Sequence, residues 1–190
     1  MEDKTLDNAI EEHMRAASAL AKDKETLQKV RLVAQKLAQA YKQGGKLIIF
    51  GNGGSAADAQ HTAAELSGKF LKVRQALPAI ALTANTSDIT AIGNDLGYGK
   101  IFRRPLEAWA GKNDVVIGLS TSGNSANVIE AIKYSKERGI FCASFVGSKK
   151  CKLDDIADAT IKVPSESTPR IQEMHMLLLH TICEIVENSL

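Results

Sequence analysis

From residue 46 onward the chain alternates short apolar runs with amphipathic segments, and nothing else in the sequence constrains its fold as strongly. Lys46–Phe50, Ala79–Leu82, Asp114–Leu119, Phe141–Val146 and Ala159–Val163 have the length and apolar content of buried strands. Ser55–Lys69, Phe102–Ala110, Ala126–Arg138 and Ile171–Asn188 carry helical periodicity between and after them. Such alternation predicts an α/β domain whose mostly parallel sheet is covered on both faces. Open parallel sheets bind ligands beyond the carboxyl ends of their strands, so the loops that follow strands are where function is sought.

Two amphipathic helices precede the first strand. Leu6, Ile10, Met14 and Ala17 form one stripe and Val30, Val33, Leu37 and Tyr41 another, with the break at Asp23 or the nearby lysines. A helical hairpin of this kind has to dock its apolar faces, and the expectation is that it uses both the domain's own sheet and another copy of the chain. Gly44-Gly45 ends the second helix, since glycine readily takes the left-handed geometry of a helix terminus. With no repeat or Pro/Ser-rich linker to divide them, residues 1–190 are read as one domain, a hairpin over 1–43 and an α/β core over 46–190.

Composition narrows the function classes. The 24 Lys and Arg nearly balance 22 Asp and Glu, which gives no sign of a nucleic-acid-binding surface, and 5% aromatic residues leave little for stacking platforms. The acidic N-terminus lacks a secretory pattern, and no run approaches the roughly 18 apolar residues of a membrane span, so a cytoplasmic protein is expected. Cys142, Cys151 and Cys183 lack C-x-x-C spacing and suggest neither a disulfide framework nor a thiolate zinc site.

Two loops stand out. Gly51-Asn52-Gly53-Gly54-Ser55 follows the first strand and opens a helix; it permits close backbone approach to a ligand, or is a plain tight turn. Gly51–Ala56 formally matches G-x-G-x-x-G/A, but the next strand ends Leu82-Thr83-Ala84, without the acidic residue that would hold a ribose, and no Walker-type G-K-[ST] follows. Ser120-Thr121-Ser122-Gly123-Asn124-Ser125 again joins a strand to a helix. Its four hydroxyls around one glycine, at a helix N-terminus, suit a phosphate monoester; the alternative is one capping serine among small loop residues, which needs fewer hydroxyls.

Candidate chemistry lies on two helices. His61 and Glu65, four residues apart, project from one helix face and can reach a common metal or substrate, or simply bond each other at the surface. The last helix is apolar nearly all round, so Gln172, Glu173, His175 and His180 need partners. Gln172 and His180 are about 12 Å apart along that helix and can still lean toward one divalent ion; alternatively His180 is a core histidine bonded to a backbone carbonyl.

Gly51–His61 (GNGGSAADAQH), Ala63-Ala64-Glu65-Leu66, Gly93-Asn94-Asp95, Ser120–Val128 (STSGNSANV), Arg170–Glu173 and His180 together resemble the phosphoheptose isomerases, enzymes of the sugar isomerase (SIS) domain type. The resemblance covers nearly the whole chain. It implies a three-layer α/β/α sandwich with a five-stranded parallel sheet, assembled as a homotetramer with interface active sites. The implied reaction interconverts sedoheptulose 7-phosphate and D-glycero-D-manno-heptose 7-phosphate, toward nucleotide-activated heptose for lipopolysaccharide core or other surface glycans. By that likeness Ser120, Thr121, Ser122 and Ser125 cradle phosphate, while Asn52, Gly53, Gly54, Glu65, Asn94, Asp95 and Gln172 contact substrate. His61, Glu65, Gln172 and His180 match positions for one zinc ion per subunit, with Glu65 and His180 the catalytic pair. Lys69 stands where many members have Arg, and Pro169 where some have Asp. The alternative is a non-catalytic SIS binding module, such as one associating with a replication initiator, which has no need of His61, Glu65, Gln172 and His180 together.

Overall fold

The apolar runs are short and bounded by glycine, proline or polar residues, and each forms a strand within a residue or two of its expected limits. A computed structural model describes residues 4–190, so the first three residues of the expected hairpin lie outside the described residues. The order is α1 (Thr5–Lys22), α2 (Lys24–Lys42), β1 (Leu47–Gly51), α3 (Gly54–Ser67), β2 (Ala79–Ala81), α4 (Thr86–Asp95), α5 (Arg103–Trp109), β3 (Val115–Leu119), α6 (Ala126–Glu137), β4 (Phe141–Val146), β5 (Ala159–Lys162) and α7 (Thr168–Ser189). Asp23 makes the break between α1 and α2, its carboxylate accepting from Thr26 N–H at 3.0 Å. Gly44, at φ 74°, turns the chain out of α2.

Among the described residues the five strands are all parallel, in the order β2-β1-β3-β4-β5. Alternate side chains face opposite layers, as the two-residue period of a strand requires. Leu47, Ile49, Ile117, Leu119 and Phe145 pack toward α2, α3 and α7, while Ile48, Phe50, Val116, Cys142 and Val146 pack toward α5 and α6. The expected α/β/α sandwich is the observed fold.

The two stripes of the hairpin fare differently within one chain. The α2 stripe is used as read, with Val30, Val33 and Leu37 buried. On α1, however, Leu6 is 69% exposed, Ile10 and Met14 are also exposed, and the buried residues are Ala16 and Leu20. The sheet face is already covered by α2, α3 and α7, so α1 rests on α7 and the edge of α2. Arg170 donates to the Ala9 carbonyl and Glu173 meets His13 Nδ1 at 2.7 Å, which fixes α1 by polar contacts. A helix absent from the sequence reading, α4, has no fully buried residue and only a short apolar stripe, Ile89 and Ile92, packed on the core; the Asn85 side chain caps it by accepting from Asp88 N–H. Among the described residues, no helix is long and apolar enough to cross a membrane.

Candidate active site

The strand order places both singled-out loops at one point. β2 lies on one side of β1 and β3 on the other, so the chain reverses its direction of travel across the sheet between them, and crevices at such reversals are where these folds take ligands. Gly51 pairs with Leu119 in register, which brings Asn52–Ser55 beside Ser120–Ser125.

A pair of amides joins the loops. Asn52 Nδ2 donates to Asn127 Oδ1 at 2.9 Å and Asn127 Nδ2 donates back to Asn52 Oδ1 at 2.8 Å. Tyr98 O–H also donates to Asn52 Oδ1, at 3.2 Å. Asn127 and Tyr98 were not picked out from the sequence. Asn127 is buried one residue inside α6; its signals were its place in the Ser120–Val128 motif and its being polar between Ala126 and Val128.

In the hydroxyl loop Ser120 Oγ lies 3.0 Å from Ser125 Oγ and 3.5 Å from Ser122 Oγ. Ser125 is the N-cap residue of α6, yet its side chain makes no capping bond, so the hydroxyls gather at the helix terminus without being consumed by it. The positive end of the α6 dipole and its free N–H groups favour an anion there. Gly123 has φ 64°, and a Cβ on it would lie 2.5 Å from Cys151 Cβ, so both conformation and space demand glycine. Beside the loop a pocket of about 240 Å³ is lined by Thr121, Ser122, Gly147, Ser165, Thr168 and Ile171, among others.

A second cluster sits farther down α3. His61 Nε2 is 2.9 Å from Glu65 Oε1 and 3.1 Å from His180 Nε2, and one ligand atom from each of the three residues lies within 4.8 Å of the others. The imidazoles are 5.0 Å apart and Phe70 stacks on His180 at 5.6 Å. Either one Nε2–H of His61 serves two acceptors, or lone pairs face one another. A cation resolves that convergence. Two imidazole nitrogens and a carboxylate oxygen are a donor set that suits a divalent metal and leaves positions open to substrate.

Asp58, one turn earlier, has a buried Oδ2 without a hydrogen-bond partner among the described residues, and burial pushes its carboxyl up to about 6 against the opposing pull of His61. The core histidine bonded to a backbone carbonyl is His175, at 3.4 Å from Val146 O, and not His180.

Gln172 enters the site from α7. Its amide lies against the glycine loop, where a Cβ on Gly54 would be 2.8 Å from Oε1 and closer still to Nε2. By the rise of α3, His61 is about 10 Å and Glu65 about 16 Å beyond Gly54. Asn94 and Asp95 sit at the end of α4, bonded to each other at 2.7 Å; among the described residues no hydrogen bond ties them to either loop. Thr83, at the end of β2, is spent on fastening α3: its carbonyl and hydroxyl accept from Gln60 Nε2, and its hydroxyl donates to Ala56 O. Pro169 stands in the first turn of α7, where its missing N–H costs nothing.

A parallel sheet with a hydroxyl-lined loop and a helix N-terminus at its reversal defines an anion-binding α/β protein, and the SIS domain profile matches residues 12–147. The chain belongs to the SIS domain family. Within it the chain is 49% identical over 182 residues to the phosphoheptose isomerase of Aliarcobacter butzleri, covering 95% of this chain and 96% of that protein, and it belongs with the phosphoheptose isomerases. Among solved structures, phosphoheptose isomerase GmhA of Neisseria gonorrhoeae superimposes with a TM-score of 0.90 at 38% identity, covering 97% of this chain and 98% of that one. A phosphoheptose isomerase from Francisella tularensis gives 0.93 at 29% identity, covering 99% and 100%.

Proposed function

We infer that this protein is a phosphoheptose isomerase, an aldose–ketose isomerase that interconverts sedoheptulose 7-phosphate and D-glycero-D-manno-heptose 7-phosphate in the supply of activated heptose. The observation that carries the reading is the convergence of His61, Glu65 and His180. A module that only binds phosphosugars needs the hydroxyl loop and has no use for that trio. The reading treats residues 1–190 as one SIS domain, with a cytoplasmic setting in which the three free cysteines stay reduced.

Ser120, Thr121, Ser122 and Ser125, with the N–H groups that open α6, hold the phosphate at one end of the substrate. Asn52, Gly53 and Gly54 supply close backbone and amide contacts to the sugar, joined by Gln172, Asn94 and Asp95. Isomerisation removes a proton from the carbon beside the carbonyl, gives an enediol, and returns the proton to the neighbouring carbon. Glu65 is the carbon base. His180 moves the second proton between the two oxygens, the division of labour expected of two groups of different basicity. His61, Glu65, Gln172 and His180 are the residues that would hold one zinc ion per subunit. When bound, a divalent ion supplies polarisation of the sugar carbonyl.

The same geometry supports an active site shared between copies. Glu65 and His61 lie two to three turns along α3 from the glycine loop, so one chain presents its cradle and its trio at separate places. The exposed Leu6, Ile10 and Met14 of α1 offer an apolar face for association. A homotetramer with interface active sites accounts for both.

Purified protein incubated with sedoheptulose 7-phosphate is expected to yield the aldose, and metal analysis of the same preparation to find about one divalent ion per chain. No aldose with or without added zinc would overturn the assignment in favour of a binding module. Glu65→Gln is expected to lower turnover by at least about 10²-fold while sparing phosphate-sugar binding, and near-normal turnover would remove Glu65 as the base.

A further inference from the structure

Glu65 and His180 come from different helices that pack on each other, and Arg74, in the segment between α3 and β2, bridges the two. Arg74 Nε donates to Glu187 Oε1 at 2.9 Å. Its two terminal nitrogens donate to backbone carbonyls of α3, NH1 to Leu66 at 2.8 Å and NH2 to Glu65 at 2.9 Å. The other oxygen of Glu187 accepts from the N–H groups of Leu71 and Lys72, both at 3.1 Å. The two side chains are withdrawn from solvent, Arg74 at 13% and Glu187 at 1% exposure.

This arrangement has a mechanical meaning. The carbonyls of Glu65 and Leu66 are among the last of α3, where a helix leaves acceptors unpaired and carries its negative end. A guanidinium is a rigid planar fork, so one side chain holds acceptors from two helices in a fixed relation. Glu187 is seven residues beyond His180, two turns along the same face of α7. Phe70, next to Leu71, stacks on the His180 ring. The segment is thus tied to α7 on the imidazole, on Glu187 and, through Lys72 Nζ at 2.6 Å, on Asn188 Oδ1.

We propose that Arg74 and Glu187 are positioning residues for the isomerisation, a clamp that sets the Glu65 end of α3 against the His180 ring; the proposal rests on the isomerase reading above. The clamp touches neither the hydroxyl loop nor the glycine loop in the hydrogen bonds it makes. It therefore governs the chemical step and not the grip on phosphate, and misplacement by about 1 Å can cost about 10²-fold in rate.

Arg74→Lys keeps the charge and loses the fork, whereas Glu187→Gln keeps an acceptor oxygen and loses the charge; each is measured beside the wild type for kcat, KM and the rise in thermal midpoint caused by orthophosphate. The expected result is a kcat lower by tenfold or more in both variants, with KM within twofold and the orthophosphate response retained. Turnover by the wild type with kcat of both variants within twofold of it overturns the clamp alone. So does a kcat loss matched by loss of the orthophosphate response, which marks general damage to the fold. No turnover by the wild type overturns the isomerase reading, and the clamp with it.

Discussion

His175 and His180 stand five residues apart on α7, about 140° around the helix, and their surroundings give them opposite uses. His180 is partly exposed against His61 and Phe70. His175 is fully buried, edge-on to Phe145, and burial depresses its imidazole to about 4 although its contact with the Val146 carbonyl opposes the shift. Between pH 6.5 and 4 the unfolded chain takes up a proton at this residue that the folded chain refuses, so stability falls as pH falls through that window. The loss due to His175 approaches about 3 kcal/mol at the acid end. Asp58 acts in the other direction: burial raises its carboxyl from 3.8 to about 6, so the stability it favours is present at low pH and disappears as pH rises through that interval. His175→Gln, which retains a donor for Val146 O, is expected to flatten the fall in thermal midpoint between pH 7 and pH 5. A variant as acid-sensitive as the wild type would show that the proton is taken up elsewhere. The sequence indicated that polar groups on this helix needed partners, but periodicity alone did not distinguish the core histidine from the site histidine. Only the packing of α7 on β4 and α3 does that.

At the scale of elements, two glycines that look equivalent in the sequence make a contrasting pair of predictions. Gly123 combines a positive φ with Cys151 packed beneath it, so Gly123→Ala meets backbone strain and overpacking together. A cost of about 2 kcal/mol or more and a fall of several degrees in thermal midpoint are expected. The nearest atoms to a Cβ on Gly54 belong to the amide end of Gln172, a flexible group that can swing aside. Gly54→Ala is therefore expected to leave the midpoint within about 2 °C and, if the proposed role of the Gln172 amide holds, to lower turnover at least tenfold. Thermal unfolding and turnover measured together check both, and a stable Gly123→Ala or a fully active Gly54→Ala contradicts the corresponding account. Strands and loops of this kind are readable because their signals are local: apolar runs bounded by glycines, then hydroxyls at a helix start. The α4 helix had a weaker signal, since over Thr86–Asp95 only Ile89 and Ile92 pack on the core, both partly buried, and a side-chain cap helps hold it. The α1 stripe was real as a sequence pattern but faces outward, because which surface covers a stripe is decided by what else already occupies the sheet.

The whole molecule converts that outward face and the separation along α3 into one question: whether the cradle and the trio that act on one substrate belong to one chain. Strand order put the two loops together at the reversal beside β1, while helix rise carried Glu65 about 16 Å away from it. Two variants separate the halves. Glu65→Gln removes the proposed base and keeps the cradle; Ser122→Asp places a carboxylate among the hydroxyls, where it repels phosphate. Each is expected to be inactive alone. Where every site lies within one chain, chains bearing either defect have no intact site, and mixed assemblies made by co-expression stay inactive. Where each site takes its base from one copy and its cradle from another, random assembly in equal amounts joins two intact halves in about a quarter of the sites. Co-expressed variants are therefore expected to recover about a quarter of wild-type turnover per site, with the mass of a tetramer by light scattering. Recovery indistinguishable from the separate variants would assign the whole site to a single chain and leave the exposed stripe of α1 with a purely structural role.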